Sequence, residues 1–126
     1  MPAKVLDRNG VPVACDFLLD TGADHTVLTA ELHRLLGLPS LPTARILGGI
    51  GGTAASVRVY VQIQLLKQDG QWINIGVEAF AFTEDNTTDL PILGRDVLNL
   101  FALVVDHPAD IVCLVRDRHR YVIQES

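Results

Sequence analysis

The chain has 126 residues, 48% of them hydrophobic and 20% charged, with a formal net charge of -5. That length suits one domain with a real core, and the acidic balance argues against a nucleic-acid partner held by phosphate neutralisation. No apolar run approaches the roughly 18 to 20 residues of a membrane helix, so no membrane partner is expected. Met1-Pro2-Ala3-Lys4 is not followed by the apolar stretch of a signal peptide. Cys15 and Cys113 are far apart in apolar surroundings, which favours buried free thiols over a disulfide. These features predict a single domain over residues 1–126 in a reducing, cytoplasmic setting.

In chain order, Val5 and Leu6 begin an extended segment and Asn9-Gly10 is a hairpin signal. Val11, Val13 and Cys15 then alternate with Pro12, Ala14 and Asp16. Phe17-Leu18-Leu19 lose the alternation, as a strand buried on both faces does, and run into Asp20. A carboxylate at the end of a buried strand is costly unless it is paired, and function is a common reason to put one there. Thr26-Val27-Leu28 reads as a further short strand. Thr29 is placed to cap a helix over Ala30 to Leu36, with Leu32, Leu35 and Leu36 on one face, closed by Gly37 and stopped by Pro39.

Gly48, Gly49, Gly51 and Gly52 surround Ile50. Such a run permits unusual backbone angles and close approach. It lacks the Lys-Ser/Thr of a phosphate-binding loop and no helical pattern follows it. Val57, Val59, Val61, Ile63 and Leu65 alternate with polar residues, Asp69-Gly70 turns the chain, and Trp72 to Phe80 returns. Residues 46–82 therefore predict a long antiparallel sheet with a glycine-rich tip near its start, Trp72 and Phe80 lying in the core. Leu90-Pro91-Ile92-Leu93 ends at Gly94; Arg95 follows, and Asp96 is read as the N-cap of a short helical turn. Phe101 to Val105, Ile111 to Val115 and Tyr121 to Ile123 read as closing strands. His25, His33, His107 and His119 share no metal-ligand spacing with each other or with the cysteines, so no metal and no cofactor is expected.

A lone Asp-Thr-Gly is a weak signal, since most such triplets are turns. Here it stands in a constellation: Leu18-Leu19-Asp20-Thr21-Gly22-Ala23-Asp24, then Gly48-Gly49-Ile50-Gly51-Gly52, then Ile92-Leu93-Gly94-Arg95-Asp96. In these motifs, their order and their intervals, the chain resembles the retropepsins, the single-lobe aspartic proteases of retroviruses, retrotransposons and some cellular genomes. The helix over Ala30 to Leu36 and the run Leu98 to Asp106 look most like the bacterial and cellular retropepsin-like proteins.

The resemblance implies an all-β fold: an acid-protease-like closed β-barrel, equivalent to a single pepsin lobe, with one or two short helices and a β-hairpin flap. It implies an aspartic endopeptidase that hydrolyses peptide bonds with a water activated between two Asp20 carboxylates of a homodimer, acting on a peptide or protein substrate. Two carboxyl groups that share one proton, an established property of aspartic proteases, supply a base for the water and an acid for the carbonyl oxygen. By resemblance Asp20 is the catalytic acid, Thr21 locks the two loops across the axis, and Gly22 lets the backbone approach the substrate. Ala23, Asp24, Gly48, Gly49, Ile50, Gly51 and Gly52 are implied on the substrate side, with Gly48 to Gly52 as the flap tip and Ile50 as its apolar contact. Asp24 and Arg95 match the family's positions for a buried ion pair behind the active loop.

The chain carries one Asp-Thr-Gly, so a dyad needs a second copy. Retropepsins commonly interleave terminal strands in their dimers, yet little chain precedes Asp20 and the first hairpin uses most of it. Tyr121 to Ser126 is the other terminal candidate. The alternative from a different class is a catalytically silent retropepsin-like domain that binds peptides or partners through its sheet edge or flap groove.

Overall fold

The computed structural model describes residues 1–41, 44–49, 52–84 and 90–115. Strand β1 (Pro2–Leu6) and strand β2 (Pro12–Asp16) form an antiparallel hairpin, Leu6 opposite Pro12 and Pro2 opposite Asp16. Asp7 builds the turn: its Oδ1 accepts from the Asn9 and Val11 N–H groups at 2.8 and 2.9 Å. The first strand starts earlier than Val5 because Lys4 and Val5 also pair with a distant strand, a long-range contact that local pattern does not carry.

The predicted second strand does not run through to the acid. It ends at Asp16, Phe17 is buried, and the chain restarts as β3 (Leu18–Leu19) on a different partner. Leu18 is 52% exposed, so this segment is not buried on both faces as expected. Strand β4 (Val27–Leu28) is fully in the core. Helix α1 (Ala30–Leu36) starts where Thr29 Oγ1 accepts from the Leu32 N–H at 3.1 Å. It stops at Gly37, whose φ of 64° suits a residue without a Cβ. Leu32 and Leu36 face the core, while Leu35 points outward and is exposed.

Strands β5 (Ala44–Gly49) and β6 (Gly52–Leu66) pair antiparallel, with Gly49 opposite Gly52. Strand β7 (Trp72–Phe82) returns along β6 from Leu66–Trp72 to Ser56–Phe82. The alternation of β6 works as read: Val59, Val61, Ile63 and Leu65 are buried. Each such side chain contributes roughly 1.5–3 kcal/mol relative to exposure. Phe80 is in the core, but Trp72 is 39% exposed at the sheet margin, with the Lys4 ammonium 4.5 Å from its ring centroid. Tyr60 instead lies across Gly76 on the neighbouring strand, where no side chain competes for the space.

Strand β8 (Ile92–Leu93) leads into helix α2 (Arg95–Leu98). The main sheet runs β2-β1-β6-β7-β4-β8-β3, with β5 added on β6. It curls around Val5, Phe17, Leu28, Leu36, Val59, Val61, Ile63, Leu93 and Val97, each essentially inaccessible to solvent. This is the all-β single-lobe fold of the retropepsin-like proteins, with two short helices. Strands β9 (Ala102–Asp106) and β10 (Ile111–Val115) form a separate two-stranded sheet in which Leu103, Val104, Val105, Ile111 and Val112 are all exposed. Tyr121 to Ile123, read as a final strand, lies outside the described residues. No helix among the described residues is long and apolar enough to cross a membrane.

Candidate active site

Asp20 is the first residue beyond β3. Parallel pairing sets Leu18 beside Ile92 and Leu19 beside Leu93, and the Asp20 N–H donates to the Leu93 carbonyl at 3.1 Å. The acid is thereby carried by the end of β8. The chain then turns: the Ala23 N–H donates to the Asp20 carbonyl at 3.2 Å, and the Gly22 N–H donates to Asp20 Oδ1 at 2.9 Å. A Cβ on Gly22 would lie 3.2 Å from that same oxygen, so a side chain there would crowd the carboxylate. Asp20 and Ala23 are half-buried; Thr21, Gly22 and Asp24 are exposed.

The segment from Gly94 to Val97 lies directly against this loop. The Arg95 N–H donates to the Ala23 carbonyl at 2.8 Å. A Cβ on Gly94 would stand 2.4 Å from both the carbonyl carbon and oxygen of His25, so the two backbones meet where only glycine fits. Arg95 Nη2 forms an ion pair with Asp24 Oδ1. The expected pair forms, and within the single chain Arg95 is 49% and Asp24 70% exposed. The short helix projects the guanidinium along the outside of the turn rather than beneath it. Water screens such a pair, and it adds little to stability. The exposed His25 packs its ring edge-on against Phe80, with centroids 4.9 Å apart.

Asp96 is not the helix cap predicted from sequence. Gly94 occupies the N-cap position and supplies no side-chain bond. The Asp96 carboxylate turns instead to the Asp20 loop. It accepts from the Thr26 N–H on both oxygens at 3.0 and 2.9 Å, from the Thr26 hydroxyl at 2.7 Å and from the Val97 N–H at 2.9 Å. Thr26 Oγ1 in turn accepts from the Gly94 N–H at 3.2 Å. Thr26 is fully buried. Sequence reasoning passes over it as the start of a strand, although a hydroxyl beside the apolar pair Val27-Leu28 must find partners once buried.

Gly48 lies opposite Thr53 and Gly49 opposite Gly52 at the end of the β5–β6 hairpin. Ile50 and Gly51 lie outside the described residues. The structure thus joins residues 20–26 to residues 93–97 as one unit, and builds Gly48, Gly49 and Gly52 into a hairpin carried by β6. Among the described residues, no group of His, Cys, Asp and Glu side chains has the geometry to hold a metal ion.

A family model described as aspartyl protease matches residues 1–97. No curated protein matches the chain. Among solved structures, the chain is similar to the EIAV protease complexed with an inhibitor, at 30% identity and a TM-score of 0.55, over 79% of this chain and 85% of that one. It is also similar to a retropepsin-like aspartic protease from Rickettsia conorii, at 20% identity and a TM-score of 0.58, over 91% of this chain and 88% of that one. That second match bears on the fold. With the motifs, the curled sheet and the loop at Asp20 in agreement, the chain belongs to the aspartyl protease family, in its retropepsin-like, single-lobe form.

Proposed function

We infer that this protein is an aspartic endopeptidase that works as a homodimer, with one Asp20 contributed by each copy. The observation that carries the reading is the Asp20 loop itself. The acid stands at a strand end with its backbone bonded to Leu93 and one carboxylate oxygen oriented by the Gly22 N–H. A carboxylate held in this way by the backbone is set to act on a ligand rather than to cap a helix.

The chemistry follows from two such acids at a two-fold axis. The ionised carboxylate takes a proton from water as the water oxygen attacks the peptide carbonyl carbon. The protonated carboxyl gives its proton to the carbonyl oxygen, so the tetrahedral intermediate is a neutral gem-diol. On collapse the C–N bond breaks, a hydroxyl proton returns to a carboxylate and the amine leaves with a proton from the other acid. Like charges at this separation cannot both ionise, so the pair titrates as a unit.

In this reading Thr21 ties the two loops together, and Gly22, Ala23 and Asp24 line the substrate side. The β5–β6 hairpin with Gly48, Gly49, Ile50, Gly51 and Gly52 closes over the peptide and excludes water. The second copy docks through β9 and β10. A two-stranded sheet is marginal alone, and this one leaves Leu103, Val104, Val105, Ile111 and Val112 exposed. It also follows α2, which is bonded to the Asp20 loop. The free cysteines favour a cytoplasmic setting.

The test is cleavage of a peptide library at mildly acidic pH by the parent and by Asp20→Asn. The expected result is cleavage by the parent and a loss of roughly 100- to 10,000-fold in kcat/KM in the variant. Equal cleavage by both would remove Asp20 from the mechanism. Binding of peptides without cleavage would favour the silent, peptide-binding alternative.

A further inference from the structure

Thr26 is a fully buried polar residue whose hydroxyl is bonded twice, both times to the segment 94–97. That hydroxyl has a single proton. Because Oγ1 accepts from the Gly94 N–H, the proton is directed at Asp96 Oδ1. The same carboxylate also receives the Thr26 and Val97 N–H groups. The arrangement is also two-sided: Thr26 gives two donors to Asp96 and takes one from the turn that precedes it.

The consequence reaches Asp20. The loop begins where the Asp20 N–H meets the Leu93 carbonyl and is braced midway by the Arg95 N–H on the Ala23 carbonyl. Its far end is held at Thr26. That end is also tied to β7, where the Phe80 N–H donates to the Thr26 carbonyl at 3.0 Å and the His25 ring packs on Phe80; the side-chain tie to the segment 94–97 comes from Thr26. Within the single chain the ion pair of Asp24 with Arg95 is exposed on both sides, whereas Thr26 is buried. We propose that Thr26 and Asp96 are positioning residues of the Asp20 loop, and that the buried bonds between them, more than the Asp24–Arg95 pair, hold the carboxylate in register. Neither residue touches the reacting atoms; each acts through the loop.

The kinetic arm of the test rests on the protease reading; a second arm does not. Thr26→Val keeps the side-chain shape and removes the hydroxyl, Thr26→Ser keeps the hydroxyl, and Arg95→Gln removes the surface pair while keeping the backbone N–H. On a peptide cleaved by the parent, Thr26→Val is expected to lose about tenfold to a hundredfold in kcat with KM little changed, because sub-ångström displacement of a catalytic group has effects of that order. Thr26→Ser restores most of the rate, and Arg95→Gln loses less than Thr26→Val. Asp96→Asn combined with Thr26→Val is no worse than the poorer single variant, as expected of groups in one network.

Amide hydrogen exchange reads the same loop without any substrate. In Thr26→Val the Asp20, Ala23 and Gly94 amides exchange faster while the Val61 amide in the core does not. If Thr26→Val keeps the parent kcat, or if its loop amides stay as protected as in the parent, the proposal is wrong. It is equally overturned if Arg95→Gln costs more than Thr26→Val. A parent that cleaves no peptide refutes the protease reading alone, and exchange then decides the clamp. Should Asp96→Asn fail to fold, the two Thr26 variants carry the decision.

Discussion

Gly94 is a position where chemistry is decided by the absence of an atom. A methyl group there would overlap the His25 backbone, and the loop that carries Asp20 could not close on the turn that carries Asp96. At other single positions, environment overrides residue type. Leu18 sits in an apolar run yet faces outward, on a side of the edge strand β3 that no other layer covers. Cys15 shows burial acting on a titratable group. Its half-buried thiol, beside the Asp16 carboxylate, is pushed from the ordinary value of 9.0 up to about 11, with burial the larger cause. At pH 8 this leaves about one molecule in a thousand as the thiolate, so native Cys15 should react with iodoacetamide about a hundredfold or more slowly than a free cysteine. Mass spectrometry of the labelled native protein checks this. The folded thiol holds its proton more tightly than the unfolded one. Its share of stability is therefore intact below pH 9.0 and lost as pH rises towards 11, which denaturant midpoints across that range would register.

Among the elements, α1 is the most locally specified. Thr29 caps it and Gly37 ends it in the left-handed region, and both signals are legible in the sequence. Thr29→Ala should cost about 1 kcal/mol in a denaturation experiment, and Thr29→Ser should recover most of it. The β6–β7 pair is legible for a related reason: strict alternation assigns each residue a face, and a tight turn at Asp69-Gly70 sets the register. Short elements behave differently. β3, β4 and β8 have two residues each, and their partners lie far along the chain. They exist because neighbours hold them, and the parallel pairing of β3 with β8 leaves no local mark. Asp96 reads as a cap for the same reason. Its position suits that role, and only the fold brings Thr26 close enough to take the carboxylate away.

For the whole molecule, the inferred activity makes assembly measurable. Specific activity should rise with protein concentration and then level off, with light scattering giving a mass of two chains on the plateau. Val105→Asp and Val112→Asp, placed on the exposed β9–β10 hairpin, should lower both readouts together while leaving far-ultraviolet circular dichroism unchanged. Activity strictly proportional to concentration, with a one-chain mass throughout, would speak against the dimer. In the inferred dimer the N-terminal strand is a poor candidate for joining subunits. β1 is enclosed between β2 and β6, so its backbone groups are already used within the chain.

Sequence alone is enough for the family, the all-β class, the helix with its caps, the long β6–β7 hairpin and the three motifs around Asp20, Gly48–Gly52 and Arg95. Each of these is written in neighbouring residues: a period of two, a capping hydroxyl, a glycine run, an acid after an apolar strand. Tertiary structure decides the rest. It turns Leu18 and Trp72 outward, and binds Thr26 to Asp96 across the fold. Those outcomes depend on which distant segments meet, and on whether water reaches the contact. Both set the strength of a polar interaction, and neither is a property of nearby sequence.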